Sequence, residues 1–394
     1  MSRFSMYSYA WDIAEEGTSN FVSKLQKIGI NSITLATSYH AGKFFRPKSR
    51  TNKIYFPEDG TIYFKHNPSK YGEIKPIPNS NFGSGEILSE LTKTKNLAIQ
   101  AWMVLFHNSQ LGSMYQEYAV RNAFGDPYIY ALCPAAPQAR EYALALMSDI
   151  AENYPIQGIS VESIGYPPFE HGYHHEMSFV KPNVWLSQNL GMCFCRYCIK
   201  GAEAFDIDAQ ELKSRVAKRI HNYLEDEIDY TPDMASAFWV ADVEGDKDLK
   251  RFIEYRKNVV TTLANEIRAA IRPEVEFAII PSVARPTSGA WYEGTDLAEL
   301  AKTIGVIEAC FYEPSVDRIR ADLIDIKERT NSVGKIKGIL RPAYPDLTSE
   351  SSVSQAVSTL WHGGVKDIAF YNYGHFRSQS LNWISSALAQ VKNG

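Results

Sequence analysis

Short runs in which nearly every position is apolar alternate along this chain with longer stretches whose apolar residues return every three or four positions. The first pattern reads as strands buried on both faces, the second as helices with one buried stripe. RFSMYSYAW opens the series, and a helix follows through NFVSKLQKIG from Asn20. NSITLAT is the second strand, ahead of an irregular excursion that runs to about Gly83. GEILSELTKTK predicts a helix and LAIQAWMVLF the third strand; AREYALALMSDIAENY and GISVES repeat the pair. A second long insertion precedes the helical LKRFIEYRKNVVTTLANEIRAAI. EFAIIPS, VIEACFY, KIKGILR and DIAFYNY then give strands five to eight, separated and followed by LAELAKTIG, VDRIRADLIDIKER, SVSQAVSTLWHGG and LNWISSALAQ.

Eight strands, each followed by a helix, predict an α/β fold: a closed parallel (β/α)8 TIM barrel. Glycines at the ends of helices before strands two and eight, Gly29, Gly363 and Gly364, are the expected stop signals. No glycine-rich phosphate loop follows an early strand, which argues against an open doubly wound sheet. The expectation is one domain over residues 1–394, with insertions at about 39–83 and 164–243. In such barrels the chemistry gathers at the C-terminal ends of the strands, so those ends supply the candidates.

Composition narrows the picture. The 394 residues are 45% hydrophobic and 22% charged with a net charge of −4, and no basic run favours nucleic acid or a membrane surface. No apolar stretch approaches the roughly 18 residues of a membrane helix, and the N-terminus has no signal core, so the expected location is cytoplasmic. Aromatic residues reach 12%, and many stand in polar contexts that suit stacking on sugar rings. The expected partner is therefore a carbohydrate, with no nucleic acid, no membrane and no organic cofactor. The amphipathic stretch from Asp248 to Ile271 offers a surface for a homo-oligomer as well as for the barrel wall.

Cleaving a glycosidic bond takes two carboxyl groups, one to protonate the leaving oxygen and one to attack or to activate water. Glu162, at the tip of strand four, is the first candidate; its plainer role would be an ion pair that closes the barrel. Glu313, at the end of strand six, is its expected partner, although the following Pro-Ser-Val-Asp would equally make it a helix-start residue. Around them Asp12, Tyr39, His40, His107, Arg341, Tyr371, Asn372 and His375 are expected to bind substrate from the strand ends. FEHGYHHE adds His174 and His175 as substrate ligands, with loop packing or a metal as the other readings of its three histidines.

LGMCFCRYCIK places Cys193, Cys195 and Cys198 within six residues of a chain that has five cysteines. A tetrahedral metal needs a fourth ligand, and Cys133, in the loop after strand three, is the best placed. His171, His174 or His175 could substitute. Such a site would hold structural zinc, since four thiolates leave no open position. Cys310 sits in an apolar run and reads as a buried small hydrophobe.

CPAAPQAREY, then a strand ending in glutamate, then CFCRYC and GAEAF resemble the family 42 β-galactosidases over about residues 133–205. The resemblance implies that Cys133, Cys193, Cys195 and Cys198 bind a structural zinc and that Glu162 is the acid/base. Two positions depart from the family: Val161 stands where it has asparagine, and strand seven ends in Arg341-Pro342 where it has its nucleophile glutamate. Pairing strand four with strand six instead resembles the α-galactosidase group. The expectation is thus a glycoside hydrolase using Glu162 and Glu313. A metal-dependent sugar isomerase or epimerase, or a non-catalytic carbohydrate-binding barrel, are the alternatives.

Overall fold

The computed structural model describes residues 2–170, 173 and 176–393. Eight parallel strands form the barrel: β1 (Arg3–Ser8), β2 (Ser32–Tyr39), β3 (Ala98–Val104), β4 (Gly158–Glu162), β5 (Glu276–Ile279), β6 (Val306–Cys310), β7 (Lys335–Leu340) and β8 (Asp367–Phe370). Each pairs with its sequence neighbours, and β1 closes the ring by pairing with both β2 and β8, in the registers Ser5 to Ser32 and Ser5 to Ala369. The (β/α)8 barrel expected from the alternation is therefore the observed fold. Gly29 (φ +93°) and Gly364 (φ +89°) take the left-handed conformation that ends a helix. Gly363 does not; its φ is −70°.

Two features exceed the expectation. The first strand stops at Ser8, and AWDIAEE turns into a helix, Ala10–Glu16, because Tyr9, Ala10, Trp11 and Ile13 are all buried as the chain bends over the barrel mouth. After β3 the chain forms a hairpin, Ala119–Arg121 with Pro127–Leu132, before the helix Pro137–Asn153. The insertion after β2 contributes small strand pairs, one of which adds Thr61–Ile62 antiparallel to β2. The insertion after β4 is helical, with segments Val184–Leu190, Arg196–Ala202, Ala209–Glu225 and Pro232–Gly245 leading into Lys247–Ala270.

Alternation along the strands sorts side chains into two cores. Outward residues such as Phe4, Ile33, Ile99, Ile159 and Phe277 pack against the helices. Inward residues fill the barrel, and its upper part is aromatic: Tyr7, Tyr9, Trp11, Tyr39, Tyr63 and Trp102 share one cluster. Lower down the barrel is polar. Glu308 accepts from Tyr7 Oη at 2.8 Å and from Ser160, and pairs with Lys337 at 3.0 Å. Lys337 also donates to Gln100 at 2.6 Å, so this buried charge pair has its hydrogen-bonding capacity largely used within the barrel.

Candidate active site

Glu162 is the last residue of β4 and reaches into the aromatic mouth. Trp102, on the neighbouring β3, donates from Nε1 to Glu162 Oε2 at 2.9 Å. Burial pushes the Glu162 carboxyl up to about 7, and the tryptophan bond pulls in the opposite direction. Ser163, directly after it, holds φ at +57°, a left-handed conformation uncommon for a residue with a side chain. Its carbonyl accepts from Phe106 N at 3.1 Å, which fixes the turn that aims the glutamate.

The same cleft holds a second carboxyl that strand counting did not find. Glu293 ends the short 3-10 segment Thr287–Glu293, well past the tip of β5. It lines the cleft together with Glu162, His40, His107, Ser282 and the Gly165–Pro168 loop. Ser282 hydrogen-bonds its carboxylate. Burial, followed by the negative charge of Glu162, pushes Glu293 up to about 8 against the pull of Ser282. Its backbone is anchored too: Tyr166 N donates to Glu293 O at 2.8 Å. A Cβ at Gly165 would lie 2.2 Å from that oxygen, so only glycine allows the two loops to meet. AWYEG carries no periodic signal, and only the presence of a second acid near the strand-five end could have drawn attention to it.

The remaining candidates fall into three groups. Tyr39 and Tyr371 belong to the mouth: with Tyr9 they form a triangle of phenol oxygens 3.1, 3.3 and 3.4 Å apart. His40 stacks on Tyr39 and stands 4.8 Å, ring to ring, from His107 on the wall of the cleft. Arg341 projects at the β7 end, its guanidinium over the Tyr312 ring at 4.7 Å and its Nε on Asp346 at 2.6 Å.

A second group is drawn into structural contacts. Glu313 is buried, but its carboxylate accepts from Arg318 Nε at 2.5 Å, one turn into the following helix, and it does not line the cleft of Glu162. Asp12 pairs with Arg46 at 2.8 Å, and Arg46 also holds Glu15 at 2.6 Å, which fastens the β2 insertion to the helix Ala10–Glu16. Burial moves Asp12 up to about 6 despite Arg46. Asn372 is buried, and its side chain accepts from Gly374 N at 3.0 Å. His375 rests against Phe44, with Nδ1 3.2 Å from Phe45 O, and burial lowers its pKa.

The third group, His171, His174 and His175, lies outside the described residues.

Cys133, Cys193, Cys195 and Cys198 converge although the chain separates the first from the rest by sixty residues or more. The Cys133 sulfur lies 3.5, 3.7 and 3.6 Å from those of Cys198, Cys193 and Cys195. The cluster is buried, and Tyr166 Oη stands 3.4 Å from Cys198 Sγ. The loop that holds Glu293 is thereby tied to the sulfurs. Cys310 is a buried thiol inside the barrel, apart from the cluster.

No known sequence family matches the chain, and no curated protein matches it. The family 42 resemblance therefore rests on the cysteine segments alone. Solved structures do match in fold. The catalytic domain of β-amylase from Paenibacillus polymyxa aligns at a TM-score of 0.61 and 11% identity, over 99% of this chain and 98% of that one. The glycoside hydrolase domain of PgaB (BpsB) from Bordetella bronchiseptica aligns at 0.56 and 12%, over 98% and 99%. α-L-Fucosidase isoenzyme 2 from Paenibacillus thiaminolyticus aligns at 0.53 and 12%; the match takes in all of this chain but 49% of the fucosidase, about half its length. These likenesses show a shared barrel fold. Among the described residues no helix is long and apolar enough to cross a membrane.

Proposed function

We propose that this protein is a glycoside hydrolase whose catalytic carboxyls are Glu162 and Glu293. One observation carries the reading: two partly buried glutamates line a single cleft at the C-terminal mouth of the barrel, both pushed to or above neutrality. Between about pH 7 and 8 such a pair holds about one proton, the state that acid/base cleavage requires. The hydrogen-bond partners divide the roles. Trp102 Nε1 can only donate, so it favours the ionised form of Glu162. The Ser282 hydroxyl can turn to accept, so it tolerates a protonated Glu293. Glu293 is then the acid that protonates the leaving oxygen, and Glu162 is the nucleophile or the base that activates water. The barrel neighbours that act on glycosides support this class, and the aromatic mouth of Tyr39, Trp102 and Tyr371 suits a pyranose ring.

The test is a panel of α- and β-linked p-nitrophenyl glycosides, neutral and acidic, against the wild type, Glu162→Gln, Glu293→Gln and Glu313→Gln. Hydrolysis lost in the first two variants and kept in the third is the expected result. Equal loss in Glu313→Gln would return that residue to the site. Intact substrates throughout would sink the reading and favour a sugar-binding barrel or an isomerase.

The cysteine cluster fits structural zinc. A tetrahedron with bonds of about 2.3 Å has edges of about 3.7–3.8 Å, and the sulfur separations of 3.5 to 3.7 Å approach that value. Cys133, Cys193, Cys195 and Cys198 would hold the ion and leave no position for substrate. A bound divalent ion would offset the cost of four buried thiolates, and the residues themselves would clamp the hairpin after β3 to the insertion after β4. Metal analysis of purified protein checks this, with one zinc per chain expected.

A further inference from the structure

Arg285, in the loop after β5, lies with its guanidinium 4.7 Å from the centre of the Tyr312 ring. Tyr312 extends β6 into the mouth, 5.6 Å from Tyr371, and Glu162 and Arg285 both act on it electrostatically. Two other cations at the mouth are matched by carboxylates, and a third, Arg256, is buried behind the Glu293 loop, where it lies over the Tyr166 ring and donates to Tyr292 O at 3.1 Å. Arg341, on the same ring, is held by Asp346, and Arg318 is held by Glu313. Among the described residues no carboxylate forms an ion pair with Arg285. It donates to its neighbour Ala284 O at 2.6 Å, and its Nε is buried without a partner. Asp322, whose charge it feels, is committed to Thr287 through bonds of 3.0 and 2.7 Å. Glu293, the other acid within its field, is bonded to Ser282 and makes no ion pair with Arg285 among the described residues.

A guanidinium carries five donors in a fixed plane, and leaving them unmatched in a partly desolvated place is costly. Stacking on Tyr312 removes side-chain freedom in advance, so a ligand that meets the fork loses less entropy on binding. The missing complement is one negative charge with two acceptor oxygens, beside the ring that the aromatic mouth would hold. We propose that Arg285 is a specificity-determining residue that binds a singly charged oxyanion substituent on the sugar, a carboxylate or a sulfate ester. The inference rests on the reading of the cleft as a sugar site and names its substrate class.

The test is calorimetric titration of the full chain, at low ionic strength, with glucuronate, galacturonate, glucose 6-sulfate, glucose and galactose. At least one acidic sugar is expected to bind about tenfold or more tightly than its neutral parent, the size of one charge-assisted hydrogen-bonded pair. Arg285→Met should bring that ligand to the level of the neutral sugar, and Arg285→Lys should restore part of the difference; circular dichroism confirms that both variants are folded. Preference for the uronates identifies a carboxylate, and preference for the sulfate identifies a sulfate ester. Equal binding of acidic and neutral sugars overturns the proposal, as does an Arg285→Met variant that keeps the preference. The two readings fail separately. Acid-selective binding without hydrolysis of any glycoside removes the hydrolase, whereas hydrolysis confined to neutral glycosides removes the role of Arg285.

Discussion

Trp102 and Glu162 sit on adjacent strands of the barrel, and the indole nitrogen of one is 2.9 Å from a carboxylate oxygen of the other. This bond opposes the burial that pushes Glu162 up to about 7. Trp102→Phe removes the donor and keeps an aromatic ring, so the Glu162 pKa rises further. A base that must be ionised then loses activity at a higher pH. The acidic limb of the kcat/KM profile is expected to move upward by about one unit, and activity at pH 7 to fall by about fivefold.

The wild-type profile should be a narrow bell. Glu162 must be ionised, which sets the acidic limb near 7, and Glu293 must be protonated, which sets the basic limb near 8. Because the two acids interact, both values belong to the pair. In Glu162→Gln the neighbouring negative charge is gone, so the Glu293 pKa should drop. NMR titration of the Glu293 carboxyl in that variant reads the change directly; an unchanged value would mean that the carboxyls do not sense one another.

Both glutamates also make stability depend on pH. Their folded-state pKa values, about 7 and about 8, lie above the roughly 4.3 of an unfolded glutamate. Between those limits the native chain holds protons that the unfolded chain has released. The stability they contribute is full below pH 4 or so and is lost as pH rises through 7 and 8. Glutamine at either position should therefore stabilise the protein at pH 9, by about 1–2 kcal/mol after allowing for partial exposure, and change little at pH 4.5. Urea titrations at the two pH values decide this.

Cys198→Ala removes a sulfur from the cluster and the contact to Tyr166. The loop that reaches Glu293 through Tyr166 N is then less firmly held. Loss of the zinc, a fall in stability of several kcal/mol and a drop in kcat are expected together. Prolonged treatment of the wild type with a strong chelator should reproduce all three, measured by metal content, thermal melting and turnover.

Lys337 and Glu308 form a pair at 3.0 Å in the lower barrel, with side-chain exposures of 2% and 0%. Lys337→Met strands the carboxylate and should cost about 3–5 kcal/mol in urea unfolding. Adding Glu308→Gln neutralises the stranded group and leaves one acceptor oxygen, while its amide can donate to the other hydroxyl once that hydroxyl turns, so the double variant should regain much of the loss.

The barrel was legible because each strand and helix writes its burial into a local period. GISVES and KIKGILR read as strands from their own residues, and β4 and β7 occupy them. Glu162 was legible for the same reason, as the last residue of a buried run. Ligand count called for a fourth ligand beside Cys193, Cys195 and Cys198, since three sulfurs cannot close a tetrahedron, and left Cys133 and the histidines of FEHGYHHE as the choices; the fold brings Cys133 to the other three. The helix Ala10–Glu16 was missed because its first residues are as apolar as the strand before it, and a short apolar run has no period to separate the two.

Glu293 and Glu313 mark the boundary between what the sequence by itself determined and what the tertiary structure decided. The sequence determined the order of elements and which acids stand at strand tips, because those depend on neighbours within a few residues. Whether an acid faces the cleft or an arginine depends on where loops from distant strands cross. Glu313 lies just past its strand but meets Arg318 in the first turn of the next helix. Glu293 lies far past its strand, and it reaches the cleft because Gly165 lets the β4 loop pack against its backbone and Ser282 meets its side chain. Contacts between loops after β4 and β5 leave no period in the chain, so only the folded barrel brings the second carboxyl beside the first.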